Sequence, residues 1–118
     1  MLVQLLKGKI HTAHLTALEP DYEGSLAIDG AVAEAAGLLP GERILVANSN
    51  NGQRFETYVI IAPAGSRTFA LNGAAARQGL VGDVVTIMAF GLYEPAEAAA
   101  HRPQVIILDE QNEIVARK

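Results

Sequence analysis

Apolar and polar residues alternate with a period of two along several short stretches of the chain, and this alternation predicts β-strands. The longest stretch runs from Val3 to Leu15, where aliphatic residues are interspersed with polar ones. Asn50-Asn51-Gly52 is a turn signal that joins two of the stretches into a hairpin. The other strands are predicted at residues 44–47, 54–61, 68–71, 84–92 and 105–108.

Short helices are predicted between these strands. Asp29 can cap a helix over residues 31–36, and Asn72 can cap one over residues 74–77. A third, alanine-rich helix is predicted after Pro95. About six short strands with a few short helices, and no βαβ spacing, predict a small mixed or mainly β barrel.

The chain has the length of one ordinary domain, so residues 1–118 are predicted to form a single domain with one core. Half of the residues are hydrophobic and the mean hydropathy is +0.21. This is more apolar than so small a chain needs, so part of the surface is predicted to be covered by a partner subunit.

The charge pattern favours neither nucleic acid nor membrane as a partner. The net charge is −4, and the nine Lys and Arg residues are scattered rather than clustered. No stretch approaches the ~20 apolar residues of a membrane span, and the apolar run at the start is too short for a signal peptide. With no cysteine in addition, a soluble cytoplasmic protein is predicted.

The chemically suggestive residues occur in separate short pieces. Tyr22-Glu23-Gly24-Ser25 is, by itself, typical of a surface turn. The other pieces are Lys9-Ile10-His11, Arg54-Phe55-Glu56-Thr57-Tyr58, Leu71-Asn72-Gly73-Ala74-Ala75-Ala76, Gly82-Asp83 and Arg102-Pro103. No piece is distinctive alone, but their joint spacing over residues 7–105 resembles the pyruvoyl-dependent aspartate 1-decarboxylase family.

The resemblance implies a fold, an assembly and a reaction. The fold would be a six-stranded double-psi β-barrel, and the assembly a homotetramer with active sites between neighbouring subunits. The reaction would convert L-aspartate to β-alanine and CO₂ through a Schiff base on a pyruvoyl group, and β-alanine would feed the synthesis of pantothenate and coenzyme A.

A decarboxylase needs an electron sink that no ordinary side chain provides. In the family the chain makes it: the hydroxyl of the residue that matches Ser25 attacks the preceding carbonyl, and the resulting ester eliminates and hydrolyses to a pyruvoyl group. The resemblance therefore implies cleavage into residues 1–24 and 25–118, with no pyridoxal phosphate. Gly24 is expected because a crowded or strained peptide there is best tolerated without a Cβ. The three histidines are not spaced as metal ligands, so no metal is predicted.

Two cations and a histidine are candidates for holding the substrate. Lys9 can be an ordinary solvated strand residue and Arg54 the charged flank of a hairpin turn, but the resemblance places Lys9 beside the substrate carboxylate. Arg54 has the planar guanidinium group that suits a carboxylate. L-Aspartate has two carboxylates, and we predict that Arg54 binds the one that is not lost as CO₂. His11 shares a face with Lys9 through the period of two, so it would line the same pocket.

Tyr58 shares a strand face with Arg54, and the resemblance makes it the proton donor. Thr57 is the residue that the family uses to assist cleavage, together with Asn72, yet alternation points Thr57 to the opposite face. A bulge, or a site between two subunits, would each explain this. Substrate binding is further implied for Thr57 and for the segment Asn72, Gly73, Ala74 and Ala75, where a helix start offers backbone N–H groups.

Two other functions fit the residues alone. One is a barrel that binds a ligand or a partner and keeps Ser25 intact, and the other is a hydrolase with Ser25 as nucleophile and His11 as base. The hydrolase lacks a Gly-x-Ser-x-Gly elbow and an evident acidic partner. The sequence leaves open whether maturation needs an accessory protein, and whether Ala47, where some family members have an aromatic residue, weakens the pocket.

Overall fold

A computed structural model describes all 118 residues of the chain. Three helices of six residues each connect the strands: α1 (Gly30–Ala35), a 3₁₀ helix (Gly73–Gln78) and α2 (Pro95–Ala100). None of them has the length of a membrane-spanning helix. The nine strands are β1 (Val3–His14), β2 (Ala17–Glu19), β3 (Ser25–Asp29), β4 (Arg43–Asn48), β5 (Arg54–Ala62), β6 (Phe69–Asn72), β7 (Val84–Tyr93), β8 (Gln104–Leu108) and β9 (Ile114–Arg117).

The strands form one sheet in the order β2-β6-β3-β5-β4-β7-β1-β8-β9. Three neighbouring pairs, β1 with β8, β2 with β6 and β3 with β5, are parallel, and the other pairs are antiparallel. The two end strands do not pair with each other, so the sheet is not closed. The result is a mainly β fold with short helices.

All six predicted strands are present, but the structure has nine strands rather than six. The additional ones, β2, β3 and β9, have only three to five residues. Segments this short carry little periodicity of their own, and they are strands because a neighbour supplies their backbone hydrogen bonds. β3 is the important case, since β5 and β6 pair with it on its two edges and its first residue is Ser25.

Asp29 confirms the predicted cap of the first helix and also fixes the far end of β3. Its buried carboxylate accepts hydrogen bonds from the N–H groups of Ala31 (2.9 Å), Gly65 (2.9 Å) and Arg67 (2.8 Å). Burial raises the pKa of the Asp29 carboxyl, but these backbone N–H groups outweigh burial and hold the pKa below its ordinary value. The strand that begins at Ser25 therefore ends at a rigid anchor.

The central strands β1, β7, β4 and β5 have two distinct faces. The inner face packs into the core, where Ile10, Ile87 and Val46 are aligned in register and fully buried. The adjacent row, one residue away along β1, lies on the opposite, outer face: it consists of Lys9, Met88, Leu45 and Glu56, which are half-buried or exposed. This outer face carries several of the predicted site residues.

Candidate active site

Ser25 is fully buried (0% exposed) at the first position of β3, and its hydroxyl is held from two directions. Asn72 Nδ2 donates a hydrogen bond to Ser25 Oγ at 2.9 Å. Ser25 Oγ in turn donates a longer bond of 3.4 Å to the carbonyl oxygen of Glu23. A surface turn would leave the hydroxyl in water, so the turn interpretation of Gly24-Ser25 is wrong.

Asn72 does not cap the helix that follows it, so that part of the sequence prediction is wrong. The 3₁₀ helix begins after Asn72, but the Asn72 side chain makes no capping hydrogen bond. Asn72 instead stands opposite Ser25 in the antiparallel ladder between β6 and β3. A buried hydroxyl needs a partner, and the Asn72 amide is the group within reach.

Close backbone packing beside the Gly24-Ser25 peptide requires Gly73 rather than Gly24. Gly24 does not have a left-handed backbone conformation, and a Cβ added there would meet only the Asn72 carbonyl oxygen, at 4.0 Å. Gly73 has φ +64°, and a Cβ added there would lie 2.7 Å from both the N and the Cα of Gly24. The expectation that Gly24 itself needs the missing Cβ is therefore not met.

A cavity of about 410 Å³ opens beside Gly24, and this volume is typical of sites for small molecules. It is lined by Gly24, Phe55, Glu56, Thr57, Tyr58, Ala74, Ala75 and Gln78. Another cavity, of about 390 Å³, lies on the outer face beside Arg43 and Phe90, but no candidate nucleophile borders it. The cavity at Gly24 is therefore the candidate active site.

Thr57 and Tyr58 lie on opposite faces of β5, as alternation predicts. Thr57 is half-buried, whereas Tyr58 is 38% exposed. The pairing of β5 with β3 and β4 shows no register shift, so a bulge does not explain how both residues reach one site. Both nevertheless border the cavity, which also touches Gly24, the residue before β3 begins.

Lys9, His11 and Arg54 do not line this cavity. Lys9 and His11 lie on β1, and three strands separate β1 from β3 in the sheet. Arg54 is four residues from Tyr58 along an extended strand, which corresponds to about 13 Å. The chain therefore brings Gly24, Ser25, Thr57, Tyr58, Asn72, Gly73, Ala74 and Ala75 together, and it keeps Lys9, His11 and Arg54 apart from them.

The three separated residues nevertheless share the outer face. Lys9 and His11 are two residues apart in the part of β1 that pairs without a register shift with β8, although the pairing of β1 with β7 shifts between Ile10 and Ala13. Arg54 is two residues from Glu56, which stands in the row of Lys9. Ala47 pairs with Arg54 in register, so it also belongs to this face. Tyr58 belongs to it as well and is its link to the cavity at Gly24.

Sequence reasoning missed three residues that line the cavity: Phe55, Glu56 and Gln78. Glu56 lies between Arg54 and Tyr58 on the same strand face, so the alternation along β5 could have predicted that Glu56 lies beside Tyr58. Gln78 follows Ala75 by three residues, which in a 3₁₀ helix places both on the same side. The Glu56 carboxylate is neutralised by Arg43, whose Nε lies 2.5 Å from it.

The geometry does not support a serine hydrolase. The hydrogen-bond partners of Ser25 Oγ are Asn72 and a backbone carbonyl, and neither is a general base. His11 is three strands away on the outer face. The structure also has no group of three or more His, Asp or Glu side chains arranged to bind a metal ion.

The fold and the site define a small β protein in which a buried serine follows a glycine at the edge of an open cavity. The chain belongs to the aspartate decarboxylase family, whose model matches residues 1–115. It is 50% identical over 117 residues to an aspartate 1-decarboxylase from Maricaulis maris, covering 99% of this chain and 97% of that protein. It is 53% identical over 114 residues to an aspartate 1-decarboxylase from Coprothermobacter proteolyticus (97% and 93%), and 46% identical over 114 residues to one from Listeria monocytogenes (97% and 90%).

Proposed function

We propose that this protein is an aspartate 1-decarboxylase, a carboxy-lyase that converts L-aspartate to β-alanine and CO₂. It would make its own pyruvoyl group by cleavage between Gly24 and Ser25. The observation that carries the proposal is the position of Ser25, whose buried hydroxyl is held by Asn72 next to the cavity at Gly24. The family and the names of its relatives agree with it.

Cleavage begins when Ser25 Oγ attacks the carbonyl carbon of Gly24. A C–O bond forms, the C–N bond breaks, and the hydroxyl proton moves to the nitrogen of Ser25. Loss of the Cα proton then breaks the Cβ–O bond, which leaves a carboxylate on Gly24 and a dehydroalanine at position 25. Water hydrolyses the dehydroalanine and releases ammonia, so the products are residues 1–24 and a pyruvoyl-capped 25–118.

The residues around Ser25 fit this chemistry. Asn72 holds the attacking oxygen, and its hydrogen bond removes a rotational freedom that would otherwise slow the attack. Thr57 borders the cavity beside Gly24, where its hydroxyl can donate to the carbonyl oxygen as negative charge develops. Glu23 O accepts from the Ser25 hydroxyl, which orients that group before the attack.

When formed, the pyruvoyl group supplies a ketone carbonyl that accepts the electrons left behind by departing CO₂. The chain's own residues bind the substrate and protonate the carbon atom that CO₂ leaves. Gly73, Ala74 and Ala75 keep side chains small at the wall of the cavity, and the first N–H groups of their 3₁₀ helix lack partners inside the helix. Tyr58, which also lines the cavity, is the proton donor in this proposal, and the product is β-alanine.

The outer face supports a homotetramer with active sites between subunits. Lys9, His11 and Arg54 would then bind the carboxylates of a substrate held in the cavity of a neighbouring subunit. Phe90 and Leu92 follow Met88 on the same face and are 42% and 63% exposed, which is apolar area that a second copy can cover. A site shared in this way explains why one chain brings only some of the predicted residues together.

We expect light scattering to give a mass of about 50 kDa, which corresponds to four chains of 12.5 kDa. A monomer at micromolar concentration would contradict the shared site, because it would leave the cavity without Lys9, His11 and Arg54.

The double-psi barrel implied by the family is the finer fold that we infer. Its support is the core: one cluster of 20 buried residues includes Leu71 of β6 and Leu108 of β8, which stand near opposite ends of the strand order. Strands that far apart share a core only if the sheet curls on itself.

The function is tested by incubating the purified chain, with and without cell extract, and assaying it with L-aspartate. We expect a denaturing gel to show two fragments and the mature protein to produce β-alanine. Extract is included because a maturation factor would be found there. A chain that stays whole in both conditions, or a cleaved chain that produces no β-alanine, would contradict the proposal.

A further inference from the structure

The corner between β6 and the 3₁₀ helix contacts both groups that react in the proposed cleavage, the Ser25 hydroxyl and the backbone of Gly24. Asn72, the last residue of β6, donates to Ser25 Oγ at 2.9 Å. Gly73, the next residue, packs so closely on the preceding peptide that a Cβ would come within 2.7 Å of the Gly24 N and Cα and 3.0 Å of the Tyr22 carbonyl oxygen. Two consecutive residues thus contact the attacking oxygen and the residue that is attacked.

We propose that Gly73 is a positioning residue for chain cleavage, a role that rests on the proposed function. Because Gly73 has no side chain, the corner closes on the backbone of Gly24 while Asn72 holds Ser25 Oγ. The corner thereby sets the separation between the hydroxyl and the Gly24 carbonyl. The two β-strands that carry these residues, β3 and β6, are hydrogen-bonded, so the corner and the serine move as one unit.

A single methyl group at position 73 disturbs this arrangement selectively. An ordinary contact distance is at least 3.4 Å, so a Cβ at 2.7 Å forces the Gly24 backbone away from the corner by about 0.7 Å. All three of the nearest atoms are backbone atoms, which cannot turn aside as a flexible side chain does. Ser25 stays bonded to Asn72, and the attack is misaligned. Misplacement of reacting groups by about 1 Å costs ~10²-fold in rate.

The experiment compares Gly73→Ala with Gly52→Ala. Both glycines have left-handed backbones, with φ of +64° and +75°, so an alanine meets the same conformational strain at each position. A Cβ at Gly52 has no atom within 4 Å, so this variant carries the strain without the collision. Cleavage is followed by gel and mass spectrometry from freshly purified precursor, and folding by circular dichroism and Tm.

We expect Gly73→Ala to fold and to be cleaved ~10²-fold more slowly than wild type. Gly52→Ala is expected to be cleaved at the wild-type rate. Neutral hydroxylamine, which cuts an ester between Gly24 and Ser25, should release fragments from maturing wild type much faster than from Gly73→Ala, because the ester forms more slowly in the variant.

Three results would overturn the role of Gly73. These are cleavage of Gly73→Ala at the rate of Gly52→Ala, rapid cutting of Gly73→Ala by hydroxylamine, and loss of its fold while Gly52→Ala stays folded, which would make the contact purely structural. A wild-type chain that is never cleaved would instead contradict the proposed function.

Discussion

A Ser25→Ala chain is expected to remain a single piece of 118 residues under conditions in which the wild-type chain separates into residues 1–24 and 25–118. The substitution removes the only atom that attacks the Gly24 carbonyl in the proposed chemistry. Because no pyruvoyl group forms, β-alanine production should fall below detection. The measurements are a denaturing gel and β-alanine assay.

Ser49→Ala is the matched control, since Ser49 is an exposed serine outside the cavity. It should be cleaved and active like wild type. The Ser25→Ala chain should keep its fold, because losing the hydroxyl removes only two hydrogen bonds, the one from the Asn72 amide and the longer one to the Glu23 carbonyl. Cleavage of Ser25→Ala at the same position would show that a contaminating protease, rather than the chain itself, cuts the peptide.

The long strands could be predicted because their side chains alternate between core and solvent. In β5, for example, Thr57 and Val59 point inward and Glu56 and Tyr58 outward, and the sequence carries this pattern directly. β3 could not be predicted in this way. Its five residues are almost all buried, since β5 and β6 cover its edges, and a buried strand of that length has no alternation to detect.

The candidate site was predictable to the extent that it rests on residue types at particular spacings. The partner of Asn72 was not predictable, because an asparagine before a small-residue helix has the sequence of an N-cap whether or not its amide is used elsewhere. The Asn72 amide bonds Ser25 instead of capping the helix, because Ser25, although 47 positions away in the sequence, stands opposite Asn72 in the ladder. Likewise, only the folded chain shows that close packing requires Gly73 rather than Gly24 to lack a side chain.

The outer face shows a second limit of sequence reasoning. Alternation placed Lys9 with His11 and Arg54 with Tyr58, and the register of four strands joins these two pairs into one face. It does not bring Lys9, His11 or Arg54 to the cavity at Gly24. A pattern within a strand fixes which residues share a face, but it contains no information on what that face contacts.

Tyr58→Phe is expected to leave cleavage and assembly intact and to lower turnover by ~10²–10⁴-fold, the usual size of a general-acid contribution. The ring packs as before, whereas the hydroxyl that borders the cavity is lost. KM should change little, because binding of the carboxylates is assigned to Lys9, His11 and Arg54. The measurement is steady-state β-alanine formation with the pyruvoyl content of each sample quantified, so that incomplete maturation is not mistaken for slow chemistry.

Tyr93→Phe is the control for the loss of a phenol, since Tyr93 lies at the end of β7, stacks beside His101 and does not border the cavity. It should keep wild-type kcat and KM. If fully matured Tyr58→Phe also kept its turnover, Tyr58 would not be the donor, and the proton would have to come from water that enters the cavity. A rise in KM with unchanged kcat would instead assign Tyr58 to binding, because an interaction lost equally from bound substrate and transition state changes KM alone. Only a fall in kcat at constant pyruvoyl content and nearly constant KM supports proton transfer from Tyr58.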